Sequence, residues 1–145
     1  MELLLRRDSL DILSYFKDVN AKKQLDTLAR KFAGKKIVIY GAGEYFNILN
    51  ENYDLSKFNI IAICDKKFET SKDLNTTKFE ALIPKELKEY DYDVILVALL
   101  RDIQICDYLE RDLLINTKNE DKKVLPMIEP NLFYLIKVFL GIAHE

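Results

Sequence analysis

The chain has 145 residues, 49% of them hydrophobic, enough for the core of one domain of ordinary size and too short for two. Its 22 basic and 24 acidic residues are evenly mixed and sum to a net charge of −2, which excludes the concentrated positive patch that nucleic acid or an anionic membrane surface requires. Cys64 and Cys106 stand in apolar surroundings without C-x-x-C spacing, so they read as buried, reduced thiols and not as a disulfide framework or a zinc site.

Met1-Glu2-Leu3-Leu4-Leu5-Arg6-Arg7 sets its apolar run before its basic pair, the reverse of a signal peptide, and a cytoplasmic protein is expected. Residues 8–33 carry Leu10, Leu13 and Phe16, then Leu25, Leu28 and Phe32, at helical intervals. The spacing predicts a helical extension over residues 1–34, broken near Asn20 and stopped at Gly34. Residues 35–145 then form the main domain.

Lys36-Ile37-Val38-Ile39-Tyr40 predicts a first strand, followed by Gly41-Ala42-Gly43 and a helix over about 44–53. This is the strand, turn and helix of a nucleotide site. Glycines let the backbone turn tightly and approach a phosphate, and the helix start offers unpaired N–H groups. The position of a third glycine in G-x-G-x-x-G holds Phe46, whose ring must either push the helix outward or join the packing. Glu44 in the first helical turn is favoured by the helix dipole, by about 0.3–1 kcal/mol, and would repel an incoming pyrophosphate. Tyr40 and Tyr45 flank the glycines with a hydroxyl each, though aromatic packing around such a turn is the more ordinary role.

A second strand over about 59–64 ends at Asp65, 22 positions after Gly43, where a dinucleotide-binding unit places its ribose-binding carboxylate. The polar stretch from Asp65 to Lys78, with Lys66 and Lys67 beside the acid, predicts an exposed, mobile loop. Residues 78–83 suggest a short third strand, and Pro84-Lys85-Glu86-Leu87 a short helix with proline in its first turn. Asp93-Val94-Ile95-Leu96-Val97-Ala98-Leu99 has the pattern of a parallel strand buried on both faces. A helix over 102–115 is expected to bury Ile103, Cys106, Leu109 and Leu113, and a weaker strand covers 123–128.

The last predicted helix, 131–142, is apolar all round, with Leu132, Phe133, Leu135, Ile136, Val138, Phe139, Leu140 and Ile142. It is interrupted by Lys137 and far shorter than the roughly 20 residues of a membrane span, so no membrane insertion is expected. One sheet face cannot cover it, and a homodimer through this helix follows.

Alternating strands and helices predict an α/β fold: a Rossmann-like, doubly wound parallel sheet of about five strands in the order 3-2-1-4-5. Ligands bind such sheets beyond the carboxyl ends of the strands, where the order reverses. That brings Gly41, Ala42, Gly43, Glu44, Tyr45, Asp65, Lys66, Ala98 and Arg101 to one crevice, with Arg101 as the cation able to grip a phosphate through two bonds. A metal cluster, serine elbow and P-loop are absent from the sequence, and the single histidine, His144, lies where chains fray, so no catalytic residue is assigned. Tyr53-x-x-x-Lys57 has the Tyr–Lys spacing of short-chain dehydrogenases but precedes the second strand, far from the helix that carries that pair.

The segments 37–45, 63–65, 84–87 and 93–98 resemble the small Rossmann-like domains of bacterial surface-glycan biosynthesis. Those stand at the N-terminus of membrane-linked nucleotide-sugar dehydratases and of sugar acyltransferases, or accompany glycosyltransferases. The resemblance covers roughly residues 35–128 and implies binding of NAD(P) or a nucleotide sugar, with Gly41, Gly43 and Asp65 as contacts. Three readings follow. The chain is an accessory or regulatory nucleotide-binding domain in surface-polysaccharide biosynthesis, associated with an enzyme of that process; or a small NAD-dependent sugar-modifying enzyme, with a methyltransferase as a weaker variant; or an interaction module with a degenerate Rossmann site.

Overall fold

The computed structural model describes residues 9–71 and 79–129. The N-terminal apolar stripes become two helices, α1 (Ser9–Asp18) and α2 (Ala21–Lys31). They break at Asn20, which takes a left-handed φ of 56°, a conformation asparagine tolerates better than most residues. Ile12, Tyr15, Phe16 and Val19 of this segment and Leu25 of α2 are buried.

Five strands follow: β1 (Ile37–Tyr40), β2 (Ile60–Cys64), β3 (Glu80–Leu82), β4 (Val94–Val97) and β5 (Lys123–Pro126). All pair in parallel, in the order β3-β2-β1-β4-β5, the doubly wound arrangement expected from the sequence. Every residue of β1 and β4 is buried, as the unbroken apolar runs demand of strands covered on both faces. Ile37 and Ile39 face a core shared with α1, α2 and Phe46, while Val38 and Tyr40 face a second core with Ile95, Val97, Leu109 and Leu114. The pleat's alternation separates the two sets.

The connections are α3 (Glu44–Asn52), α4 (Phe68–Ser71), a 3₁₀ turn (Pro84–Lys88) and α5 (Asp102–Tyr108), which runs into a π turn (Leu109–Leu113). Two sequence expectations need correction here. The stretch after Asp65 is no open loop throughout: Phe68 is only 3% exposed and anchors the single turn of α4, while 72–78 lie outside the described residues. After β4, Ile103 is 71% exposed and Asp102, at 6%, takes the buried position. Leu113 is only partly buried, because the π turn adds a residue to the helical step: the Leu114 N–H donates to the Leu109 carbonyl at 2.9 Å, and Leu114 is the next fully buried side chain.

The expected helix over 131–142, the homodimer contact it carries, His144 and the first seven residues all lie outside the described residues. Among the described residues, no helix is long and apolar enough to cross a membrane, and no group of three or more His, Cys, Asp or Glu side chains is placed to hold a metal ion. Cys64 and Cys106 are buried and form no disulfide.

Candidate functional site

At the carboxyl end of β1 the chain is held from both sides. The Gly41 N–H donates to the Cys64 carbonyl of β2 at 2.8 Å, and the Ala98 N–H beyond β4 donates to the Tyr40 carbonyl at 2.8 Å. The turn therefore sits over the point where strand order reverses. Its two glycines have different reasons to be there. Gly41 has φ 121°, and a Cβ on it would lie 2.5 Å from the Ala98 carbonyl oxygen and 2.9 Å from Leu99 Cγ, so the end of β4 demands a residue without a side chain. Gly43 has φ −101°, which any residue adopts, and a Cβ there would meet nothing within 4 Å. It caps the start of α3 with no side-chain hydrogen bond to the first-turn N–H groups.

Ala42, between them, is gripped by the segment that follows β2. Its N–H donates to Asp65 Oδ2 at 2.8 Å, and its carbonyl accepts from Lys67 Nζ at 2.7 Å. Asp65 Oδ1 accepts the Lys67 N–H at 2.9 Å, and the Asp65 carbonyl accepts the Phe68 N–H at 3.1 Å. The carboxylate expected at a ribose is thus already engaged in shaping the turn, with lone pairs left for further donors. Lys66 is exposed on α4's approach, and it is Lys67 that reaches the turn. No local pattern distinguishes two adjacent lysines. Glu44 is exposed at the head of α3, Ala98 is buried with its carbonyl against Gly41, and Arg101 is exposed as the residue preceding α5.

Phe46 resolves the question of the third glycine: it is 4% exposed and packed in the core under α1, so its ring joins the packing. Tyr45 is also a packing residue, edge-on to Phe16 with ring centroids 4.9 Å apart at 84°. Its hydroxyl is buried without a hydrogen-bond partner among the described residues, and burial pushes its pKa well above the usual tyrosine value. An unpaired buried hydroxyl carries its desolvation cost uncompensated. Tyr45→Phe is therefore expected to leave stability unchanged or raise it by about 1 kcal/mol in urea unfolding, and to leave ligand affinity unmoved.

Tyr53 and Lys57 line a cleft of about 360 Å³ with Lys22, Asp26 and Asn52, at the opposite end of α3 from the glycine turn. Burial raises the Tyr53 pKa, the wrong direction for a tyrosine base.

The sequence from residue 33 to residue 124 matches the family described as C2185-like, N-terminal, a span well over half of the chain. The chain belongs to that family. No curated protein and no solved structure matches it. The matched span of the C2185-like domain opens before β1 and closes inside β5, so it contains the glycine turn, Asp65, Lys67 and the segment after β4.

In that last segment the C2185-like domain holds a residue that the sequence reading passed over. Asp102 is 6% exposed, and burial pushes its carboxyl up to about 6, helped by the charge of Glu129 and opposed by hydrogen bonds from its own N–H and that of Ile103. Its charge adds to the burial that raises the Tyr45 and Cys106 groups. An acid at a helix start reads as a solvent-facing residue favoured by the dipole, and nothing in its neighbours marks it as buried.

Proposed function

We propose that this domain binds a phosphate-bearing nucleotide, NAD or a nucleotide sugar, at the glycine turn, and serves as an accessory or regulatory domain in bacterial surface-polysaccharide biosynthesis inside the cell. The observation that carries the reading is Gly43. Gly41 is explained by its left-handed φ and the carbonyl it touches, whereas neither backbone conformation nor packing accounts for glycine at 43. Close approach of a ligand to an uncapped helix start does. The surface-glycan setting rests on the likeness of residues 35–128 to domains of that process.

A second reading, an interaction module with a degenerate site, is favoured by Asp65, whose two oxygens already accept the Ala42 and Lys67 N–H groups. A thermal-shift panel with NAD, NADP, nucleotide sugars, coenzyme A and S-adenosylmethionine separates the two. A ligand at 100 times its dissociation constant stabilises by about 2.7 kcal/mol, readily visible for a domain of this size. Gly43→Val is expected to melt close to the parent, since the space around Gly43 is open, and to lose the ligand-induced shift. A folded Gly43→Val domain that still responds to the same nucleotide refutes the site, and a panel without any response favours the interaction module.

A further inference from the structure

We propose that Lys67 is the positioning residue of the glycine turn: its ammonium fixes the direction in which the Ala42–Gly43 peptide presents its N–H to a ligand phosphate. The inference rests on the reading of this turn as a phosphate site. Ala42 is held at both its polar groups by side chains, the N–H by Asp65 Oδ2 at 2.8 Å and the carbonyl by Lys67 Nζ at 2.7 Å. A peptide group is planar, and none of the described peptide bonds is cis, so the carbonyl and N–H of one peptide point in opposite directions. With the Ala42 carbonyl drawn toward Lys67, the Gly43 N–H is directed away from it.

Something must hold that orientation, because Gly43 cannot. A residue without Cβ, with nothing within 4 Å of where a Cβ would be, tolerates rotation of the peptide that precedes it. The hydrogen bond from an ammonium to the Ala42 carbonyl is charge-assisted and opposes that rotation. Lys67 is itself braced. Its N–H is tied to Asp65 Oδ1 at 2.9 Å, its ammonium stands 5.9 Å from the centroid of the Phe68 ring, and Phe68 is buried. Asp65 and Lys67 thus act as one clamp. The acid fixes the peptide before Ala42, the lysine the peptide after it, and a phosphate arriving at the start of α3 meets N–H groups already aligned.

The test uses the whole chain as the parent protein, Lys67→Met and Lys67→Arg, with NAD and UDP-glucose as probes and the backbone amide resonance of Gly43 as a ligand-free readout. Lys67→Met is expected to displace the Gly43 amide resonance before any ligand is added and to weaken the bound probe about tenfold, the effect of one charge-assisted hydrogen bond. Its melting temperature stays within about 5 °C of the parent, because the ammonium is on the surface. Lys67→Arg restores both the resonance and the affinity. A Gly43 resonance unmoved in Lys67→Met overturns the proposal, and an affinity loss accompanying it makes Lys67 a direct phosphate contact instead. If the parent binds neither probe, the phosphate reading falls, while the Gly43 resonance still decides separately whether Lys67 orients the peptide.

Discussion

Gly41→Ala is expected to cost about 2–6 kcal/mol of folding stability, against less than about 1 kcal/mol for Gly43→Ala. At Gly41 the φ of 121° is a region that side chains rarely adopt, and the strain alone is worth about 1–3 kcal/mol. The added Cβ would also lie 2.5 Å from the Ala98 carbonyl oxygen, a backbone atom at the end of a buried central strand that has no room to yield. Overpacking of this kind adds about 1–3 kcal/mol. At Gly43 neither term exists, and the remaining cost is alanine's inferiority at a helix cap. Urea unfolding of the two variants side by side measures the difference, and equal losses would mean that the turn and β4 are not in this contact. Since domains of this size are stable by only about 5–15 kcal/mol, Gly41→Ala takes a large share of the total.

Asp102→Asn is expected to gain about 3 kcal/mol on the parent between pH 4 and pH 8. The sign follows from the burial of the carboxyl. Its ordinary value is 3.8 and its folded value about 6, so the folded state holds the proton more tightly than the unfolded one. Below pH 3.8 both states are protonated and burial of the neutral acid carries no ionisation cost. As pH rises to about 6 and beyond, the parent keeps a charge inside the fold, and this contribution to stability is lost. An amide has no such step. Asp26, Asp54 and Asp91, held below the usual carboxylate range by Lys22, Ser56 and Lys36, slope the other way, but they are common to both proteins and cancel in the difference. Unfolding free energies of parent and variant at four or five pH values trace the step; parallel curves from pH 4 to 8 would show that Asp102 titrates as a solvated acid.

The sheet was legible because its signal is local and redundant. The runs Ile37–Tyr40 and Val94–Val97 are apolar at every position, which only strands covered on both sides require, and the strand order is the one expected of a sheet with a glycine turn after its first strand. In the helix after β4, Cys106 and Leu109 are buried as the spacing requires, but the π turn at Leu109–Leu113 moves the next buried position from Leu113 to Leu114, and Ile103, before that turn, is exposed. At the site, composition announced a turn but not the division of labour within it. Gly41 and Gly43 are indistinguishable letters, and only the neighbour brought up by β4 separates the one the fold needs from the one it does not. The clamp on Ala42 joins residues 23 and 25 positions apart through side chain to backbone bonds, which leave no periodic trace. Asp102 was missed for the opposite reason, since its residue type argues for solvent and its burial is imposed by the packing around it.

The central place of β1 also has a kinetic meaning. Its neighbours in the sheet come later in the chain, and the start of its pairing with β4 joins Lys36 to Asp93 across 57 positions, the Lys36 N–H donating to Asp93 Oδ2 at 2.8 Å. A loop of that length must close before the middle of the sheet is covered on both edges, and until then a fully apolar strand has an open flank. The order in which β2 and β4 arrive therefore governs how long the nascent domain remains prone to sticking to its own copies. Substitutions in β4 that delay its docking should lower the yield of folded protein at high concentration before they lower the stability of what has folded.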